Sequence, residues 1–140
     1  MLPLKKQCQT YTTNKRLLKD INLEIQEVEW KLYGIRAKNY DAVSKNKNFK
    51  SNYERFFERK ENLIHQKNHI LNQICWMEEF LFHQLSKAYQ DIVWCAYIER
   101  KTIPYLAKIY QFAPRTISLR LYQANKEYEK YCGNRGEGGA

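Results

Sequence analysis

Turn-forming residues are scarce in this chain, with five glycines and three prolines in 140 residues. Sandwiches and barrels reverse direction often and need such residues, so their scarcity argues against both architectures. Long apolar runs are missing too: none approaches the roughly 18–20 residues needed to span a bilayer. The opening Met1-Leu2-Pro3-Leu4-Lys5-Lys6-Gln7 lacks the apolar stretch of a secretory signal, which points to a cytosolic protein. Cysteines fall at 8, 75, 95 and 132 with no Cys-x-x-Cys pair, so zinc-ligand spacing is missing and a cytosolic disulfide framework is disfavoured. Cys75 and Cys95 fall within predicted helices among apolar neighbours, where a free thiol acts as a small hydrophobe. No Gly-rich phosphate loop, no paired catalytic carboxylates and no nucleophile beside a base can be found. Neither an enzyme nor a cofactor is expected.

What the chain does have is apolar content of 44%, a mean hydropathy of −0.75, a formal net charge of +9 and a pI near 9.4. Such a balance points to polyanionic partners: DNA, RNA or an anionic membrane surface. With so few turn residues, the expected fold is all-α: a long N-terminal helical hairpin or coiled-coil arm, followed by a three-helix module.

Residues 1–11 show no period and are expected to be a flexible end. Thr12, Thr13 and Asn14 are N-cap candidates for a helix over about 14–34. Along it Leu18, Ile21, Ile25, Val28, Leu32 and Ile35 recur at alternating steps of three and four, a coiled-coil stripe. Glu27 and Lys31 form a favourable i,i+4 pair, and Gly34 is placed to end the helix. Residues 36–50 are rich in Lys and Asn without a period, and read as a basic connecting loop able to brush phosphates. Ser51 and Glu54 fit a capping box opening a second helix over about 52–84. That helix is too long to stand alone, so it must lie against the first helix or a second copy of the chain. His65 and His69 sit one turn apart on it with no third ligand evident, and an ordinary polar face explains them.

From Leu85 the pattern breaks into three short pieces, ending near residue 131; residues 132–140 are Gly-rich and read as a flexible tail. The first piece carries Ile92, Val93, Cys95, Ala96 and Tyr97. Thr102 caps a second, with Pro104 in its first turn and Leu106, Ala107 and Ile109 along it. Gln111-Phe112-Ala113 forms a turn, and Pro114 opens a third helix through Ile117, Leu121, Ala124 and Tyr128. Ala107 is small where two helices would cross, and Phe112 is the apolar plug between them. This is the residue order of a helix-turn-helix, whose second helix enters the major groove with its N-terminal residues at base edges. Arg115, Thr116, Ser118, Leu119, Tyr122 and Gln123 are left facing outward. Base contacts are expected above all from Arg115, Ser118, Leu119 and Tyr122, and phosphate contacts from Arg100, Lys101, Lys108, Arg120 and Lys126. Residues 100–131 hold seven Lys or Arg against two Glu.

Thr102 to Tyr110 and Phe112 to Ala124, above all Thr116-Ile117, Arg120-Leu121 and Ala124, resemble the C-terminal DNA-binding region of sigma factors. Two positions depart from that pattern. Gln111 stands where the family often has Gly, and Ala113 where Ser or Thr usually caps the last helix. The whole layout, a helical arm ahead of one such module, is similar to phage late-gene regulators of the RinA/ArpU type. That resemblance implies a transcription regulator for packaging and morphogenesis genes in a bacterial host cell. Double-stranded DNA is the expected partner, with RNA polymerase a further one, and the arm is expected to assemble copies of the chain. A small terminase subunit that marks DNA for packaging, or a protein-interaction module acting on RNA polymerase, are the alternatives.

Overall fold

The computed structural model describes the backbone of residues 2–38 and 47–135, and the side chains of residues 2–35 and 52–134. Among the described residues there are five helices and no strand. They are α1 (Leu4–Lys38), α2 (Lys47–Glu79), α3 (Lys87–Val93), α4 (Ile103–Tyr110) and α5 (Pro114–Arg135). Two π-helical turns, Phe80–Gln84 after α2 and Trp94–Ile98 after α3, widen the helix ends. Each closes on an i→i+5 bond: the Leu85 N–H donates to the Phe80 carbonyl at 2.8 Å and the Glu99 N–H to that of Trp94 at 3.0 Å. No helix among the described residues is long and apolar enough to cross a membrane.

Several element ends lie elsewhere than the sequence suggests. The first helix begins at Leu4, and Leu4, Cys8 and Tyr11 are buried, so this end is not the loose one expected. The coiled-coil stripe simply starts earlier, at 4, 8, 11 and 14, where a thiol, a phenol and an amide hide its apolar character. Asn14 is the one buried polar residue in it, and its Nδ2 donates to Gln73 Oε1 at 3.0 Å. Thr12 therefore lies mid-helix, its hydroxyl donating back to the Cys8 carbonyl at 3.1 Å rather than capping an end. At the other end Gly34 does not stop the helix, which runs on to Lys38. The second helix opens at Lys47, ahead of the expected capping box at Ser51 and Glu54. Both helices thus take residues from the connector expected over 36–50; its centre, 39–46, lies outside the described residues. Likewise α5 continues through Cys132, which is buried, to Arg135, so residues 132–135 are helical rather than part of the expected tail; residues 136–140 lie outside the described ones.

Contacts divide the chain into two compact units. One comprises Arg16–Leu71. Here Ile21, Ile25, Val28 and Leu32 of α1 pack with Leu63 of α2, flanked by Tyr53, Phe56 and Ile70. The segments run antiparallel: Leu17 and Ile21 border a groove with Gln66, His69 and Ile70, while Lys31 reaches the Phe56 ring at 5.6 Å. The stripe read from the sequence is thus satisfied within one chain. Ion pairs Glu24–Arg59 (3.8 Å), Glu29–Lys60 (3.9 Å) and the expected Glu27–Lys31 (3.7 Å) fringe it. All lie at the surface, about half-exposed or more apart from the Lys60 side chain, and contribute little each. On the other side of α1, Leu23, Trp30 and Tyr33 are exposed.

The second unit joins the residues up to Lys15 with those from Asn72 onward, so the C-terminal module does not begin at 85. Its core holds Leu4, Cys8, Tyr11, Ile74, Met77, Phe80, Leu81 and Leu85, together with Ile92, Val93, Leu106, Ile117, Leu121 and Tyr128. The Leu4 N–H donates to Asn125 Oδ1 at 2.9 Å, and the Tyr11 hydroxyl to Glu78 Oε2 at 2.7 Å. Burial and then that carboxylate push the Tyr11 phenol well above its ordinary pKa, and burial pushes the Cys8 thiol up to about 12. Cys75, in contrast, is exposed rather than part of an apolar cluster.

Leu4 is fully buried and Leu2 is 49% exposed. Leu4→Ala should lower the unfolding free energy by about 2–5 kcal/mol, and Leu2→Ala should change it by no more than about 0.5 kcal/mol. Urea midpoints compare the two, and equal, small shifts would show that the N-terminal residues are loose after all.

Candidate nucleic-acid interface

The expected corner is present between α4 and α5. Thr102 adopts an extended conformation (φ −78°, ψ 156°) and its Oγ1 accepts the Tyr105 N–H at 3.3 Å, so it caps α4 as its sequence position implies. Pro104 lies in the first turn, where its missing donor leaves nothing unsatisfied. At the far end Gln111 is left-handed (φ 58°, ψ 38°). Its N–H and that of Phe112 both donate to the Ala107 carbonyl, the second at 3.0 Å. Chain direction reverses there, and Pro114 starts α5 with the Ala113 carbonyl accepting the Thr116 N–H at 2.9 Å and the Ile117 N–H at 3.3 Å. The link into α4 uses the same device: Arg100 is left-handed (φ 59°), and the Lys101 N–H returns to the Cys95 carbonyl at 2.9 Å.

Leu106 and Ala107 of α4 and Ile117, Leu121, Ala124 and Tyr128 of α5 are buried, as their spacing predicts. Ile109 is not: it is exposed beside Tyr105 on the outer side of α4. Phe112 is half-buried, stacked at 6.2 Å on Tyr110 and covered by the Arg120 guanidinium at 4.7 Å. Burial, then the bond to the Cys95 thiol, push the Tyr110 hydroxyl up to about 12.

The expected contact residues divide into two groups. Arg115, Ser118, Leu119, Tyr122 and Lys126 are exposed on α5. Of these Arg115, Leu119, Tyr122 and Lys126, spaced by four, three and four, form one line along the helix. Lys108 is exposed on α4, and Arg100 and Lys101 are exposed in the link before it. Other expected residues are already engaged within the unit. Arg120 holds Phe112 and donates to the Ala88 carbonyl at 3.4 Å, Gln123 accepts the Tyr89 hydroxyl at 2.8 Å, and Thr116 is half-buried. Lys126 lies over the Tyr122 ring at 5.3 Å and pairs with Glu129 at 3.6 Å; that carboxylate, then Tyr122, raise its pKa. Lys101 lies over Tyr105 at 5.3 Å. Tyr105 was not singled out from the sequence, although its outward place follows from Leu106 and Ala107 being turned inward.

Charge along this stretch has one sign. From Arg100 to Lys126 there are six Lys or Arg and no Asp or Glu. The N-terminus of α5, the exposed cations around it and the hydrogen-bonding side chains at its start suit a polyanion better than a small neutral ligand. In the other unit His65 and His69 are exposed, and among the described residues no group of three or more His, Cys, Asp or Glu lies close enough to hold a metal ion. No family model, characterised protein or solved structure matches the chain.

Two positions in the corner are occupied by residues that suit it poorly. A side chain in the left-handed region is strained relative to glycine, and alanine at an N-cap offers no acceptor. Gln111→Gly should raise stability by about 0.5–1 kcal/mol, and Ala113→Ser by about 0.5–2 kcal/mol. Each should lift the thermal midpoint by a few degrees. A lower midpoint for Gln111→Gly would mean that the turn is not left-handed at that residue.

Proposed function

We propose that this chain is a sequence-specific DNA-binding protein that sets the N-terminal half of α5 in the major groove. The observation carrying this reading is the α4–α5 corner with its exposed line Arg115, Leu119, Tyr122 and Lys126, in a stretch with cations and no acids. Arg115 and Ser118, near the start of α5, supply hydrogen bonds to base edges. Lys108, with Arg100 and Lys101 from the link before α4, supplies contacts to phosphates, which position the protein without reading sequence. Arg120 contributes by holding Phe112 in the turn, and so acts on the shape of the corner.

The role we assign is transcription regulation, of the kind phages encode for late packaging and morphogenesis genes, in the cytoplasm of a bacterial host. Its support is the sigma-like residue order between Thr102 and Ala124, with the helical unit Arg16–Leu71 preceding it in the chain. It is a binding role and not an enzymatic one. A single corner touches few base pairs, so pairing of two chains fits the reading. With the Ile21–Leu32 stripe used within the chain, Leu23, Trp30 and Tyr33 are the most exposed large apolar residues described on α1, and we assign them to that purpose. Trp30→Glu is expected to turn a dimer into a monomer in light scattering, and an unchanged mass would remove α1 from the assembly.

A second reading, a module that binds RNA polymerase or another protein, is favoured by Tyr105 and Ile109, exposed one turn apart on α4. Salt dependence separates the two. For the DNA reading, affinity in an anisotropy titration should fall linearly on logarithmic axes as salt rises, and Lys108→Ala should reduce the slope by about 1 while weakening all sequences alike. Arg115→Ala should instead lose about 1–3 kcal/mol of discrimination at one base pair. A flat salt response would favour the protein partner, and unchanged affinity and specificity in Arg115→Ala would sink the docking proposed for α5.

A further inference from the structure

The exposed line on α5 has an unusual centre. Its ends are cations, Arg115 and Lys126, but between them lie Leu119, 53% exposed, and Tyr122, 58% exposed. The core does not account for Leu119: the inward positions of α5 are taken by Ile117, Leu121 and Ala124. A leucine side chain has no donor and no acceptor, so against a base edge it can satisfy neither the acceptors of guanine nor the donors of cytosine and adenine. One apolar group is presented in the major groove, the C5-methyl of thymine.

Resting on the DNA-binding reading, we propose that Leu119 and the ring of Tyr122 recognise thymine methyl groups, making them the specificity-determining residues for a thymine-containing step in the target. Both residues lie in the half of α5 proposed to enter the groove, on the same exposed line as Arg115, which lies one turn before Leu119 and is assigned to a base edge. Leu119 and Tyr122 are separated by about 4.5 Å along the helix axis. Base pairs are stacked at about 3.4 Å, so the two side chains address neighbouring base pairs. Lys126, drawn over the Tyr122 ring and toward Glu129, covers one side of the ring and leaves the rest for the base. Leucine selects by exclusion as well as by contact, because a purine or cytosine edge beneath it loses water without gaining a partner.

The test uses the full chain and needs no variant at its first step. Fragments are selected from a random duplex pool, and each thymine of the enriched site is replaced in turn by deoxyuridine, which removes the methyl and keeps every hydrogen-bonding atom. At one or two adjacent positions the affinity should fall about threefold to tenfold. Leu119→Ala, at an exposed site, should melt like the parent protein and lose the thymine preference at one of these positions, while any preference read by Tyr122 at the neighbouring one is kept. If deoxyuridine is tolerated at every position while binding remains sequence-specific, the methyl recognition is wrong and the DNA-binding reading stands. If no sequence is enriched, both fail. If Leu119→Ala keeps the full thymine preference, the residue assignment is overturned.

Discussion

Ala107 does two things in the corner between α4 and α5. Its side chain is small enough to be buried where the helices meet, and its carbonyl takes the N–H groups of both Gln111 and Phe112. The first sets how closely the helices approach; the second sets where α4 stops and how sharply the chain turns. A larger residue would push the helices apart, and Phe112 would lose its place between Tyr110 and the Arg120 guanidinium. The direction of α5, and with it everything the helix presents to a partner, follows from this contact.

The C-terminal half of α5 is held from a different direction. Tyr128 and Tyr131 pack against Trp76 and Phe80 from the end of α2 and the turn after it, with ring centroids 5.0–5.8 Å apart and mostly edge-on or tilted. The Tyr131 hydroxyl donates to the Trp76 carbonyl at 3.3 Å. Ser86 adds N–H and hydroxyl bonds to Glu127, and Asn125 takes the Leu4 N–H. Helix α5 is therefore anchored along its second half and bears its exposed line chiefly on its first, a division suited to a helix that must enter a groove without losing its orientation. Rigid support behind a contact surface lowers the ordering cost of binding.

How much of this was legible in the sequence depends on the residue. Buried positions on α4 and α5 follow from helical spacing, and Thr102 declares itself as a cap. Gln111 could be suspected from its place between two helices, though a glutamine does not advertise a left-handed backbone as a glycine does. The N-terminal stripe escaped because Cys8, Tyr11 and Asn14 do not look like core residues one at a time. Asn14 is tolerated there because Gln73 accepts its amide proton. Gly34 and the Ser51–Glu54 box carried real local signals that lost to helix continuation, since local preferences of about 1 kcal/mol yield readily to tertiary packing. In the interface, Arg115, Ser118, Leu119 and Tyr122 were legible as outward-facing. That Arg120, Gln123 and Lys126 are already engaged was not, because their partners Ala88, Phe112, Tyr89 and Glu129 include residues far away in the chain or on other turns of a helix.

By itself, then, the sequence determined the helical class, the place of the α4–α5 corner and the sign of the charge around it. These depend on composition and on spacing within one helix, which are local properties. The tertiary structure alone decided that the first residues of the chain belong to the same unit as the last helix. It also decided that the Ile21–Leu32 stripe closes on α2 within the chain, and which cations remain available to a partner. Those outcomes depend on contacts between residues far apart in sequence, whose pairing no periodicity records.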